Sequence, residues 1–144
     1  MFLLDTNVVS ELRKARTGKA HPNVAAWVQT VEPGSLFLSA IVVQELEIGV
    51  LRLERKDLTQ GAILRSWLDE YVLPTFVDRI LPIDTAIAQR SARLHVPDPQ
   101  PYRDGLIAAT ALVHGMTIVT RNAVDFAATG MPVLNPWDAP KQHL

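Results

Sequence analysis

The chain has 144 residues and 48% hydrophobic content, enough for one packed domain. Fourteen Lys and Arg stand against fifteen Asp and Glu, a formal net charge of −1, which argues against a protein that coats nucleic acid by charge alone. Cysteine is absent, excluding disulfides and thiolate metal sites, and no apolar run approaches the roughly 18–20 residues of a membrane span or forms an export leader.

Phe2 to Leu4 is a short apolar run that stops on Asp5, and it reads as a buried strand. Thr6 to Lys14 follows as a helix, broken by Gly18 and Pro22 in the stretch ARTGKAHP. Asn23 to Val31 reads as a second helix, with Val24, Trp27, Val28 and Val31 on one face, and Ser35 to Leu38 as a second strand. Ser39 is placed to cap a long helix running to Lys56, on which Val42, Leu46, Gly49, Val50 and Leu53 fall on one side. A helix over Leu58 to Leu73 is expected to stop at Pro74. Arg79 to Pro82 reads as a third strand and Ala86 to Leu94 as a helix, followed by the proline-rich loop HVPDPQPY. Asp104 then opens an apolar helix that Gly115 ends. Thr117 to Thr120 and the MPVL segment supply a fourth and a fifth strand. Alternating strands and helices predict an α/β fold, with an open parallel sheet between two helical layers.

In such sheets ligands bind beyond the carboxyl ends of the strands. Asp5 ends the first strand, while Asn122 and Asp125 follow the fourth. Glu45 lies two turns into the helix after the second strand, at the edge of its apolar face, and Glu47 points towards solvent. Taken singly, Asp5 and Asp104 are explained as helix N-caps, each stabilising by about 1 kcal/mol. Taken together, several carboxylates at one sheet edge repel unless a cation offsets them. Hard oxygen ligands select Mg²⁺ or Mn²⁺. Such a site suits phosphodiester hydrolysis, because the metal neutralises phosphate charge and lowers the pKa of a water that then attacks.

The segments LLDTNVVSEL, LSAIVVQELEIGV, DGLIAATALVHG and TIVTRNAVDF, with the closing VLNPWD, resemble PIN-domain ribonucleases, particularly the VapC and FitB toxins of bacterial toxin–antitoxin pairs. The resemblance spans essentially the whole chain in the expected order, so residues 1–144 are read as a single PIN domain. It implies a three-layer α/β/α fold with a five-stranded parallel sheet of order 3-2-1-4-5. It also implies an acid cluster of Asp5, Glu45, Asp104 and a fourth member. In that set Asp5 and Asp104 are the main metal ligands, and Thr6, Asn7 and Thr120 support them. The fourth position departs from the family pattern: Asn122 stands where many relatives have an acid, and the nearest carboxylate is Asp125, which is preferred. Arg103 is a second departure, since a small residue is common there.

The implied activity is that of a Mg²⁺- or Mn²⁺-dependent endoribonuclease, the toxin of a VapBC-type pair. It would hydrolyse RNA with metal-activated water to leave a 5′-phosphate and a 3′-hydroxyl. Implied partners are a VapB-type antitoxin, an RNA substrate such as tRNA, a second copy of the chain, and operator DNA reached only through the antitoxin; the location is the cytoplasm, without membrane attachment. Arg121, Arg103, Arg13 and Lys14 are candidate RNA contacts. The stretch RKARTGKAH also reads as a solvated helix end, and Arg121 as an ion-pair partner of the cluster. Arg52, Arg55 and Lys56 read as a solvated helix face. Two other readings stand beside this one. A phosphoaspartyl enzyme similar to the haloacid dehalogenases would place its nucleophile at Asp5, but it needs a second Asp where Asn7 stands. The other is a non-catalytic subunit that only partners an antitoxin.

Overall fold

The computed structural model describes residues 1–138. Five parallel strands form one sheet in the order β3-β2-β1-β4-β5: β1 is Phe2–Leu4, β2 Leu36–Ser39, β3 Ile80–Leu81, β4 Thr117–Val119 and β5 Val133–Leu134. β1 lies between β2 and β4, with Phe2 opposite both Leu36 and Thr117. Leu3, Leu4, Leu38, Ile118 and Val119 are fully buried. Such strands are apolar on both faces because helices cover both.

The helices are α1 (Thr6–Ala15), α2 (Pro22–Gln29), α3 (Ala40–Lys56), α4 (Leu58–Ser66), α5 (Leu73–Thr75), α6 (Thr85–Leu94), α7 (Tyr102–His114) and α8 (Ala123–Phe126). Ser39 caps α3 by accepting the Ile41 amide at 3.2 Å. α7 ends at Gly115, whose φ of 66° is the left-handed conformation that glycine adopts without strain. Val42, Leu46 and Val50 are buried along α3 as its periodicity predicts.

Four expectations need correction. Gly49 is exposed rather than part of the buried face of α3. Glu47 is part solvated but not free, since Arg65 of α4 holds it at 2.9 Å. Pro74 does not end the helix that begins at Leu58: a π-helical stretch, Trp67–Val72, follows α4 and leads into α5, where Pro74 sits in the first turn. The missing amide of Pro74 falls where the helix is π-wound and its pairing is already shifted, with the Leu73 amide bonded to the Leu68 carbonyl five residues back. Finally, α7 starts at Tyr102, so Asp104 is its third residue and not its cap; Pro101 occupies that position and makes no side-chain capping bond.

Candidate active site

Strand order reverses between β1 and β4, so the helices after them leave in opposite directions and open a cleft at the carboxyl edge. Two backbone bonds fix the floor of that cleft. The Asp5 amide donates to the Val119 carbonyl at 2.9 Å, and the Thr120 amide to the Leu134 carbonyl at 3.0 Å. Asp5 and Thr120 are therefore extensions of β1 and β4, and both are fully buried.

A buried carboxylate must find donors for its oxygens. One Asp5 oxygen, Oδ2, accepts from the Thr120 hydroxyl at 2.7 Å, and Oδ1 accepts from the Thr6 amide at 2.8 Å. The second bond is an N-cap contact of an unusual kind. Asp57 and Asp84 cap their helices by reaching the third amide, that of Gln60 or Ile87. Asp5 instead binds the amide of the very next residue, with its carboxylate turned into the cleft. One side chain thus both caps α1 and joins the acid cluster.

Thr120 is saturated as well. Its hydroxyl donates to Asp5 and accepts from the Asn122 amide at 3.0 Å and from Asn7 Nδ2 at 3.4 Å. The Asn7 side-chain oxygen accepts the Arg121 amide at 3.2 Å, tying α1 to the segment after β4. Thr6 donates its hydroxyl to Glu45 Oε1 at 2.8 Å, fixing the α3 carboxylate from across the cleft.

Arg103 stands at the centre. Its Nε donates to Glu45 Oε1 at 2.5 Å, one terminal nitrogen donates to Asp104 Oδ1 at 2.8 Å, and the other to Asp5 Oδ1. One guanidinium thus joins carboxylates from β1, α3 and α7. Burial alone would pull the Arg103 guanidinium down. The Asp5 charge, with hydrogen bonds to Asp5 and Glu45, overrides that and holds it above the ordinary arginine value. It stays charged at every accessible pH.

The structure therefore brings Asp5, Glu45 and Asp104 together, with Thr6, Asn7 and Thr120 linked to them. Asn122 and Asp125 lie at the same edge, on the turn into α8 and within α8, but both are exposed. Among the described contacts, neither of their side chains bonds to the cluster. The Arg121 guanidinium lies over the Trp137 ring at 5.3 Å rather than pairing with a cluster acid. Arg13 and Lys14 sit at the far end of α1, about 12 Å along the helix axis from its start. There Arg13 stacks on Trp67 and Lys14 pairs with Glu11. What residue-by-residue reading missed is the reach of Arg103. Its signal was a lone cation beside Asp104 in a helix first turn, where cations are disfavoured.

Whether a divalent cation suits these residues is decided by the donor set. It contains only carboxylate and hydroxyl oxygens, it already surrounds a positive group, and it has neither a thiolate nor an imidazole, so it fits Mg²⁺ or Mn²⁺. Among the described residues, no three acidic or His side chains are arranged to hold a metal ion, and the three carboxylates are gathered on the Arg103 guanidinium instead.

An open five-stranded parallel α/β domain thus places a buried Asp5, ringed by further acids, at its β1/β4 switch point. The PIN-domain family model matches residues 2–130, and this chain belongs to the PIN-domain family. It is 36% identical over 143 residues to the VapC ribonuclease Y4jK of Sinorhizobium fredii, covering 96% of this chain and 99% of that one. It is 38% identical over 144 residues to the toxin FitB of Neisseria gonorrhoeae, covering 95% of this chain and 99% of that one. In three dimensions it is similar to a chain of FitAB bound to an IR36 DNA fragment, with a TM-score of 0.86 at 34% identity, covering 99% and 100% of the two chains.

Proposed function

We propose that this chain is an endoribonuclease dependent on Mg²⁺ or Mn²⁺, the toxin of a VapBC-type pair, built as one PIN domain over residues 1–144. The observation that carries the reading is the gathering of Asp5, Glu45 and Asp104 around one cation at the carboxyl edge of the sheet. It occurs in a chain that matches a VapC ribonuclease and FitB along nearly its whole length.

In this reading Asp5 and Asp104 hold the metal and Glu45 orients water, with Asp125 as the fourth acid and Asn122 its neutral neighbour. Thr120 and Asn7 fix the Asp5 carboxylate, and Thr6 fixes Glu45. A divalent cation there supplies charge neutralisation and acidification of water for attack on a phosphodiester. The exposed Arg121 binds RNA phosphate beside the cleft, and Arg13 and Lys14 extend the contact along α1. FitAB and VapBC complexes among its structural relatives support an antitoxin partner, with operator DNA bound through that partner, and a homodimeric toxin. None of the described helices is long and apolar enough to cross a membrane. In this reading the chain acts on RNA in the cytoplasm.

The test is to induce the wild type and Asp5→Asn side by side and sequence cellular RNA ends. New 5′-phosphate ends at defined sites are expected with the wild type, and at least about a hundredfold fewer with the variant. Equal cleavage by both proteins would reject the assignment. Absence of cleavage by either, with tight capture of the antitoxin, would favour the non-catalytic partner.

A further inference from the structure

We propose that Arg103 is a built-in counter-ion that occupies the carboxylate cradle in the absence of metal and must leave it when a divalent cation enters. This rests on the metal-dependent reading above. Each of the three guanidinium nitrogens is spent on a different carboxylate, and the oxygens they use, Asp5 Oδ1, Glu45 Oε1 and Asp104 Oδ1, face the centre of the cluster. Any cation bound between these acids needs the same inward oxygens. On Asp5 the Thr6 amide shares Oδ1 with Arg103 and the Thr120 hydroxyl takes one position of Oδ2, so a single acceptor position is left in reserve.

The placement of Arg103 makes departure easy. It is the second residue of α7, and its side chain is 32% exposed, so it can swing outward about its own bonds without moving the helix. A cation in the first turn of a helix is opposed by the positive end of the helix dipole, and the three carboxylates hold it there, with a longer bond to the Thr6 hydroxyl at 3.4 Å. With those charges offset by a bound divalent ion, the dipole and the ion would both oppose the guanidinium there. Turned outward, it would meet a phosphate oxygen as the natural partner for its fork. Arg103 is thus a positioning group when metal is absent and a phosphate contact when metal is present.

The experiment measures Mn²⁺ binding by calorimetry on the full chain as wild type, Arg103→Gln, Arg103→Lys and Asp5→Asn, with thermal unfolding of each in chelator and in saturating Mn²⁺. Expected is Mn²⁺ affinity higher by about tenfold or more in Arg103→Gln, since its competitor is gone. Without metal the same variant should unfold at a lower temperature than the wild type, with the gap closing in Mn²⁺. Arg103→Lys, which keeps the charge but not the three-pronged fork, should bind Mn²⁺ with intermediate affinity, and it answers the question if the Gln variant does not fold. Unchanged or weaker Mn²⁺ binding in both Arg103 variants, with binding abolished in Asp5→Asn, would overturn the competition while leaving the metal site intact. Mn²⁺ binding unaffected by Asp5→Asn would instead remove the site on which the inference stands.

Discussion

Asp5 shows how much one buried carboxylate demands of its neighbours. It lies at the end of an apolar strand and is fully buried, so its oxygens depend on the Thr6 amide, the Thr120 hydroxyl and the Arg103 guanidinium for hydrogen bonds. Thr120 is the most sensitive of these supports, since its own hydroxyl is shared among Asp5, Asn7 and Asn122. Thr120→Val keeps the shape and removes the hydroxyl, leaving one Asp5 oxygen and two N–H groups without their partner. The expected cost is about 1–3 kcal/mol in urea unfolding, read as a lower midpoint with unchanged slope. A midpoint equal to the wild type would mean that water replaces the hydroxyl without loss. Asp5 itself was legible in sequence, because an apolar run that stops on an acid is a local pattern. Arg103 was singled out there as an unusual neighbour of Asp104, but its reach was not legible, because its bonds to Asp5 and Glu45 join residues 98 and 58 positions apart, and no periodicity encodes such a distance.

At the scale of elements, the packing of α3 on α4 shows why two glycines of similar helical setting should respond oppositely. A β-carbon on Gly61 would lie 2.4 Å from the Glu54 Cα and 2.7 Å from its amide nitrogen, both backbone atoms that cannot rotate away. Gly61→Ala must push the helices apart. The expected loss is about 1–3 kcal/mol from overpacking, outweighing the roughly 1 kcal/mol that alanine gains in helix propensity. Gly49, also helical, has open space where its β-carbon would stand, so Gly49→Ala should stabilise by about 0.5–1 kcal/mol. Paired denaturation curves check both signs.

The same helix pair carries an ion network. Arg65 binds Glu47, Glu54 and Asp69, and its hydrogen bond to Glu47, opposed by burial and aided by charge attraction, lowers the Glu47 pKa. A lowered folded-state pKa adds stability above the unfolded value, near 4.3–4.5, and loses it as pH falls through the folded value. Both side chains are part solvated, so Glu47→Gln should cost at most about 1 kcal/mol at pH 7 and nothing at pH 2. A variant deficit that is the same at both pH values would show that packing, not charge, is lost. Sequence periodicity placed Val42, Leu46 and Val50 correctly, since burial of an amphipathic stripe depends on one helix alone. It misjudged Glu47 and Gly49 because their surroundings are set by where α4 docks. It also ended the α4 segment at Pro74, because the π-helical stretch that restarts the helix there has no local signature.

The whole molecule couples folding to the site. The acids come from β1, α3 and α7, so the cradle exists only while the sheet order holds β1 against β4 and the helices stay docked. A ligand that binds such a site cannot bind the unfolded chain with equal strength, and its binding free energy therefore adds to stability. At a Mn²⁺ concentration about a hundred times its dissociation constant, the gain is roughly 2.7 kcal/mol. For a domain of this length that raises the unfolding midpoint by about 5–10 °C. Chelator should abolish RNA cleavage and return the midpoint to its metal-free value, while Mg²⁺ or Mn²⁺ restores both. Asp5→Asn and Asp104→Asn should show no cleavage and little or no shift. Scanning calorimetry alongside a cleavage assay separates the possibilities, since a shift that survives Asp5→Asn would place the stabilising ion elsewhere on the fold. Cleavage that persists in chelator would remove the metal from the reaction, leaving the Arg103 guanidinium as the charge that faces the phosphate.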